Sequence, residues 1–372
     1  MKVIIAAAGT GGHINPGLAI ANKIKKEDPK SEIIFIGTNR GLENDLVPRA
    51  GFKLKTIEAY GFSKVPTISN IKKMIKTAKG FKQAEEIVKD FNPDIVIGMG
   101  GYICGAVISA AHKLKIPTLL HESNAYPGLA IKLLSKKADT ILVGFEEAKS
   151  RLSNVKKVVV TGTPIKMQDI KLNDEQKIKI KQELKFTNDL PIILVFGGSQ
   201  GAKVINDSLT DIIINKKNTG YQIIWAAGQN QFDIIKQKMQ DNNIDINNIK
   251  NVKIVPYIYN MDEIMQISDL VIARSGAMTL AEIALVGKPA IFIPLPSMSA
   301  NRQEDNARVF EKNGAAKVIL NQELNSDILS ETINDIIKDN QNIINMGNNA
   351  KKMAIYNVED KIYSEILNLL KK

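Results

Sequence analysis

Three glycine-rich turns sit where apolar runs of strand length give way to helical patterns: Gly9-Thr10-Gly11-Gly12-His13, Gly98-Met99-Gly100-Gly101-Tyr102 and Gly197-Gly198-Ser199-Gln200-Gly201. A glycine turn that opens a helix lets backbone N–H groups approach an oxyanion, with the positive end of the helix dipole behind them. Any one of them serves equally well as plain chain reversal, but three at strand ends favour contact with a phosphorylated ligand. His13 closes the first turn and can take up a proton near neutral pH. A dinucleotide fingerprint is disfavoured, because Ile14 stands where the third glycine belongs and the second strand ends Phe35-Ile36-Gly37-Thr38 without a ribose-binding acid. A Walker phosphate loop would need Gly-Lys followed by Ser or Thr, which neither the first nor the third turn carries.

Further polar groups occur at the ends of other strand-like runs. His121-Glu122-Ser123-Asn124 follows the run 117–120, which places these side chains at the carboxyl end of a strand or leaves them satisfying each other and the nearby backbone. Arg274-Ser275-Gly276-Ala277-Met278-Thr279 leaves the run 270–273 and opens a helix. Ser275, Gly276 and Thr279 can present donors there, while Glu282 can accept from vicinal hydroxyls such as those of a ribose; a capped helix with an exposed glutamate is the plainer alternative. Gln303 and Asn306 lie three apart on one helical face, suited to sugar hydroxyls or to solvent. The three histidines lack helical zinc spacing and no Asp-x-Asp occurs, so chemistry without a metal or other cofactor is the expectation. Leaving-group charge would then fall to backbone N–H groups, helix ends and cationic side chains.

The elements that must position these residues alternate. Strand-like runs at 3–7, 32–37, 53–57, 94–98, 117–120, 140–143 and 158–161, then at 192–196, 221–226, 252–255, 270–273, 290–293 and 316–319, are separated by helical patterns. Such alternation implies an α/β fold of two doubly wound parallel sheets, with ligand beyond the carboxyl ends of the strands in a cleft between the domains. The boundary is expected at Gly162-Thr163-Pro164, giving domains 1–163 and 164–349, with a helical segment over 343–370 whose last part can pack back on the first domain. At 372 residues, 44% of them hydrophobic, each half can bury a core. The lone Cys104 excludes an intrachain disulfide and reads as a small buried residue. No apolar run is long enough to span a membrane, and the apolar start of the chain runs straight into a glycine turn, so it reads as a first strand rather than a leader. The net charge of +11 asks for an anionic partner. Nucleic acid is disfavoured, since aromatic residues are only 5% of the chain with a single Trp225.

Taken together, the blocks 9–16, 99–105, 121–124, 197–202, 274–282 and 303–306 resemble the MurG family, N-acetylglucosaminyltransferases of peptidoglycan synthesis. The resemblance covers nearly the whole chain. It implies the GT-B architecture, two Rossmann-like domains facing a cleft, and inverting transfer of GlcNAc from UDP-GlcNAc to an undecaprenyl-diphosphate-linked muramyl pentapeptide. By resemblance, the donor site comprises Ile258 beside uracil, Glu282 on the ribose, Ser199 on the diphosphate, Ala277, Met278 and Thr279 in the helix-opening block, and Gln303 with Asn306 near the sugar. Thr10, Gly11, Gly12, Asn124 and Lys166 approach the donor from elsewhere in the chain. Gly12, His13, Gly100, Gly101 and Tyr102 would receive the diphosphate of the lipid acceptor. Two positions depart from the family pattern: Lys166 stands where Arg is usual and loses its planar fork, and Arg302 replaces His or Gln.

The mechanism this implies is a single displacement at the anomeric carbon through an oxocarbenium-like transition state, with His13 as candidate base and Glu122 or His121 as alternatives. A glycolipid synthase acting on diacylglycerol, a UDP-GlcNAc 2-epimerase and a non-catalytic nucleotide-sugar binder share the same outline. The stretch 59–84 carries six lysines and no acid, with Ile71, Met74, Ile75, Ala78 and Phe81 at helical spacing. It reads either as a core-facing helix with a solvated lysine face or as a docking face for an anionic membrane, carried by Lys72, Ile75, Lys76, Lys79 and Phe81. A polyprenyl acceptor favours the second, placing the protein peripherally on the cytoplasmic face of the cell membrane.

Overall fold

The computed structural model describes residues 1–61, 67–187, 189–296 and 302–371, and of 68–72 the backbone only. Lys64, Asn301 and the side chains of Ile71 and Lys72 therefore lie outside the described residues. The chain forms two compact units, one of Met1–Lys166 with Ile355–Lys372 and one of Met167–Ala354.

In the first unit, β1 (Lys2–Ala6), α1 (Gly11–Glu27), β2 (Glu32–Gly37), α2 (Glu43–Arg49), β3 (Lys53–Thr56), α3 (Ile68–Phe91), β4 (Ile95–Gly98) and α4 (Ile103–Lys113) come first. They are followed by β5 (Thr118–Glu122), α5 (Leu129–Leu134), β6 (Thr140–Val143), α6 (Glu146–Lys149) and β7 (Val158–Val160). The second unit continues with α7 (Asp174–Glu183), β8 (Ile192–Phe196), α8 (Lys203–Ile214), β9 (Gln222–Ala226), α9 (Gln229–Asp241), β10 (Val252–Val255) and α10 (Met261–Ile267). It ends with β11 (Leu270–Ala273), α11 (Ala277–Val286), β12 (Ala290–Phe292), α12 (Arg302–Lys312), β13 (Ala316–Val318), α13 (Ser326–Ile337) and α14 (Asn340–Lys352), after which α15 (Val358–Leu370) returns to the first unit. Each strand-like run of the sequence is a strand, and the α/β class holds in both units.

Both sheets are parallel throughout, in the orders β3-β2-β1-β4-β5-β6-β7 and β10-β9-β8-β11-β12-β13. Near-continuous Ile and Val make the inner strands because helices cover both faces there, so both alternating sets of side chains are buried. On β1, Ile4 and Ala6 join α3, α4 and α5 in one core, whereas Val3 and Ile5 join α1 and α15 in another. The segment expected to be helical over 343–370 is two helices, because Asn357 adopts a left-handed φ of 55° between them. Strand β5 also runs two residues further than the sequence pattern suggested, so His121 and Glu122 are buried within the sheet instead of following it.

The second unit carries a buried polar bridge. Asn206 on α8 donates to the Ala227 carbonyl at 2.9 Å and accepts from Trp225 Nε1 at 3.0 Å. Both Asn206 and Trp225 are essentially without exposure, so removal of the amide strands an indole N–H and a carbonyl away from water. Asn206→Ala is expected to lower stability by about 1–3 kcal/mol in a denaturant titration followed by circular dichroism. A loss under about 0.5 kcal/mol, the level of an ordinary surface change, would mean that the bridge contributes nothing net.

Candidate functional site

Each sheet reverses its strand order beside its first strand, and the chemistry-bearing turns leave from those places. In the first unit, Ala6 pairs with Gly98, so the turn after β1 and the turn after β4 emerge side by side. Thr10 precedes α1 in extended conformation, and helix geometry leaves the N–H groups of Gly11 and Gly12 without intrahelical acceptors. Thr10 and Gly12 are exposed, and His13 is half-buried. Gly100 and Gly101 both have positive φ, 87° and 76°, which lets their backbone lie flat beneath the imidazole. A Cβ on either glycine would stand 3.4 Å from the His13 ring. Tyr102 is partly exposed beside them at the start of α4.

Sequence reasoning missed the group that shapes this turn. Glu43, fully buried at the start of α2, accepts from Gly9 N at 2.9 Å, Thr38 N at 2.9 Å and Thr38 Oγ1 at 2.8 Å. Burial works against its charge, but the backbone N–H groups of Gly9 and Thr38 outweigh it and hold the carboxyl below its ordinary value. Gly9 N–H is thereby committed to Glu43. An acid two residues after Gly41 at a helix start was the available signal, and it reads as ordinary helix-dipole complementation.

In the 121–124 block, the Glu122 carboxylate is taken up by donors of its own loop. Glu122 Oε1 accepts from Asn124 N at 2.9 Å and Asn124 Nδ2 at 2.8 Å, and Oε2 accepts from Gly128 N at 2.7 Å. A buried carboxylate so occupied fastens the loop ahead of α5, which argues against Glu122 as a proton acceptor. His121 Nε2 donates to the Gly162 carbonyl at 3.0 Å, and burial holds its imidazole below the ordinary value. Lys166 is exposed as the last residue of this stretch of the first unit.

In the second unit, Phe196 pairs with Ala273, so the turn after β8 and the block after β11 also emerge together. They enclose a cavity of about 400 Å³. Gly197, Gly198 and Gly201 form one wall with the start of α8; Arg274, Gly276 and Thr279 form another at the start of α11; Leu295 and Gln303 complete it. Gly201 and Gly228 pack backbone to backbone, and a Cβ on either would overlap the other loop. Ser199 stands exposed on the same turn, and Met278 is half-buried beside the buried Ala277. Ile258 is buried after β10 between Tyr257 and Tyr259, whose rings meet edge to face at 5.0 Å.

Two assignments on α12 separate here. Gln303 lines the cavity and accepts from Leu295 N at 2.9 Å, whereas Asn306 is fully buried and donates to the Ser275 carbonyl at 3.2 Å. Asn306 thus braces the β11–α11 loop and is not a second amide on an open face. Arg302 is half-buried at the head of α12. Arg274, whose role the sequence left unassigned, is a fixed cation on the cavity wall: Nη1 donates to the carbonyls of Ile293 and Pro294 at 2.9 and 3.1 Å and to Asn321 Oδ1 at 2.8 Å. Glu282 is half-buried on α11, and burial, aided by the charge of Asp262, pushes its carboxyl up to about 7.

On α3, the C-terminal half enters the core through Ala84 and Val88, while Met74, Ile75 and Phe81 are exposed together with Lys73, Lys76 and Lys79. Over 73–81 the apolar stripe is therefore not core-facing. Among the described residues, no helix is long and apolar enough to cross a membrane.

Paired glycine turns at the switch points of two Rossmann-like units suit a nucleotide-sugar ligand, and comparison with known proteins gives the class, a UDP-GlcNAc-dependent glycosyltransferase. Residues 3–143 match the glycosyltransferase family 28 N-terminal domain and residues 192–362 its C-terminal domain. The chain belongs to glycosyltransferase family 28. A relative from Acetivibrio thermocellus, 42% identical with 100% of this chain and 99% of its own covered, is a UDP-N-acetylglucosamine--N-acetylmuramyl-(pentapeptide) pyrophosphoryl-undecaprenol N-acetylglucosamine transferase. The crystal structure of Acinetobacter baumannii MurG superposes with a TM-score of 0.79 at 26% identity, covering 99% of each chain. The UDP-GlcNAc 2-epimerase of Neisseria meningitidis bound to UDP-GlcNAc gives 0.64 at 18% identity, covering 99% of this chain and 100% of its own, a likeness of fold alone.

The Glu282 carboxyl yields a pH signature. A group raised from 4.5 to about 7 binds more protons folded than unfolded between those values, so its contribution favours folding at low pH and is lost as pH rises through 7. Glu282→Gln should therefore be more stable than the parent above pH 7 and lose that advantage towards 4.5, read by thermal unfolding across the range. A pH-independent difference would place the carboxyl in water.

Proposed function

We infer that this protein transfers GlcNAc from UDP-GlcNAc to an undecaprenyl-diphosphate-linked N-acetylmuramyl pentapeptide, the step that converts lipid I to lipid II in peptidoglycan synthesis. The observation that carries the reading is identity of 42% over the full chain to a transferase of that specificity, together with switch-point glycine turns in both units. In the second unit, the α8 and α11 N-termini and Arg274 supply positive potential where the UDP diphosphate would lie. Glu282 would accept from the ribose hydroxyls as a carboxylate, with Ile258 at the base and Gln303 towards the sugar. In the first unit, the helix-opening N–H groups of Gly11 and Gly12 and the Gly100–Gly101 turn would receive the acceptor diphosphate.

His13 is the proton acceptor in this reading. The acceptor hydroxyl attacks the anomeric carbon of GlcNAc from the face opposite UDP, its proton passes to the imidazole, and the C–O bond to UDP breaks with inversion. The developing charge on UDP is met by the oriented N–H groups of the second unit.

The decisive assay measures UDP release from UDP-GlcNAc with and without the polyprenyl-diphosphate muramyl peptide. Release only with acceptor supports transfer, whereas release from donor alone would overturn it. In the same assay His13→Ala is expected to lower turnover about 100-fold or more while UDP affinity stays near the parent's. A fall of less than about tenfold would remove His13 from the role of base.

The exposed Met74, Ile75 and Phe81 among Lys73, Lys76 and Lys79 support a peripheral position on the anionic cytoplasmic leaflet. Lysines near such a surface contribute about 1 kcal/mol each while the apolar residues enter the interface. Vesicle sedimentation with Lys73, Lys76 and Lys79 changed to Glu is expected to show loss of binding to anionic vesicles, and equal binding by variant and parent would rule this face out.

A further inference from the structure

The guanidinium on the cavity wall of the second unit is held by neutral oxygens. Arg274 leaves the end of β11, passes the end of β12, where Ile293 and Pro294 supply their carbonyls, and meets Asn321 Oδ1 in the turn after β13 at 2.8 Å. Neighbouring strands lie about 4.8 Å apart, so only a long side chain crosses β12 to reach an amide on its far side. Among the described residues no carboxylate pairs with Arg274, and burial alone holds its guanidinium below the ordinary value. All of these contacts are made by Nη1, and Nε and Nη2 have no partner among the described residues.

Asn321 stands on a firm base. Leu324 N donates to the Leu320 carbonyl at 3.1 Å across its turn, and Ile319 and Leu324 on either side are buried in the core of the second unit. An acid is at hand in the same turn, but Glu323 is exposed and accepts from Leu320 N at 3.3 Å. Lys203, the other cation on the cavity wall, is paired with Asp207 at 2.5 Å. A half-buried cation without a counter-ion costs stability, and a carboxylate of the same shape as the Asn321 amide would relieve that cost. The neutral amide fixes the guanidinium and leaves its charge for an anion entering the cavity.

We propose that Asn321 is a positioning residue for the donor: it holds Arg274 on the cavity wall without neutralising it, so that the guanidinium meets the UDP diphosphate and the negative charge it gains in transfer. This rests on the donor reading of the cavity. When the bond between the anomeric carbon and UDP breaks, its electron pair stays on the β-phosphate oxygen, and Arg274 is the fixed cation that meets this charge.

The test sets Asn321→Asp against Asn321→Ala, with equilibrium binding of UDP and of uridine, thermal unfolding, and turnover with the polyprenyl-diphosphate muramyl peptide. If Asn321 served structure alone, the Asp variant, which keeps the acceptor and adds an ion pair, would be the milder change in every measurement. The expected order instead reverses between stability and function. The Asp variant should unfold at or above the parent's temperature, yet lose about tenfold or more in UDP affinity and in kcat, with uridine affinity within about twofold of the parent's. The Ala variant should unfold earlier and lose only about threefold in UDP affinity. An Asp variant that binds UDP no more weakly than the Ala variant, loses uridine affinity equally, or keeps the parent's kcat overturns the role of Asn321. Should the Asp variant not fold, the Ala variant decides: a loss confined to UDP supports the role, and an unchanged UDP affinity or an equal loss for uridine overturns it. A parent that binds UDP no better than uridine would instead remove the donor reading of the cavity, and the role of Asn321 with it.

Discussion

In a parallel sheet whose strand order reverses next to its first strand, the two strands at the reversal send their connections to opposite faces, and a gap opens between the loops at their carboxyl ends. Both units are built on this constraint, at β1 with β4 and at β8 with β11. It brings Gly9–His13 beside Gly100–Tyr102, and Gly197–Ala202 beside Arg274–Thr279, although roughly ninety and eighty residues separate the members of each pair in sequence. The helix N-termini, the fixed guanidinium and the imidazole all take their place from that pairing. Disturb the register of either pair, and its two turns no longer emerge side by side.

The loops themselves are held by anions of the protein's own. Glu43 gathers Gly9 N–H and Thr38, and Glu122 gathers Asn124 and Gly128, each carboxylate buried and accepting three hydrogen bonds. Both carboxylates thus act as permanent internal ligands of backbone N–H groups. They divide the available donors: those bound to Glu43 and Glu122 set loop shape, and those at the starts of α1, α8 and α11 are the ones the proposed reaction would use. Such charge-assisted bonds are stronger than neutral ones, which suits loops that must keep their form when an anionic ligand leaves.

The fold was legible because a strand buried on both faces has to be apolar along its whole length, and the runs 3–7, 192–196 and 270–273 announce themselves that way. The glycine turns were legible for a related reason: positive φ at Gly100, Gly101, Gly198 and Gly201 selects a residue type that sequence displays. What sequence could not display is partner choice. Whether Glu122 faces substrate or the N–H of Gly128, whether Asn306 reads a sugar or the Ser275 carbonyl, and whether Arg274 is exposed or clamped by Ile293 and Asn321 all depend on chain segments far away in sequence. The lysine stripe of α3 was ambiguous for a different reason, since amphipathic spacing alone does not say whether the apolar side meets a core or a bilayer.

Trp225, the sole tryptophan, lies under the turn that ends at Ala202, its indole tied to the amide of the helix that turn opens. The first unit has no indole at all. Excitation at the red edge of protein absorbance therefore reports from the second unit alone, with a blue-shifted emission set by a dry, hydrogen-bonded site. Ultraviolet emission and total ellipticity then follow different parts of the molecule. In any experiment that heats, dilutes or titrates this protein, their divergence would show one unit opening while the other stays closed, without a label being attached.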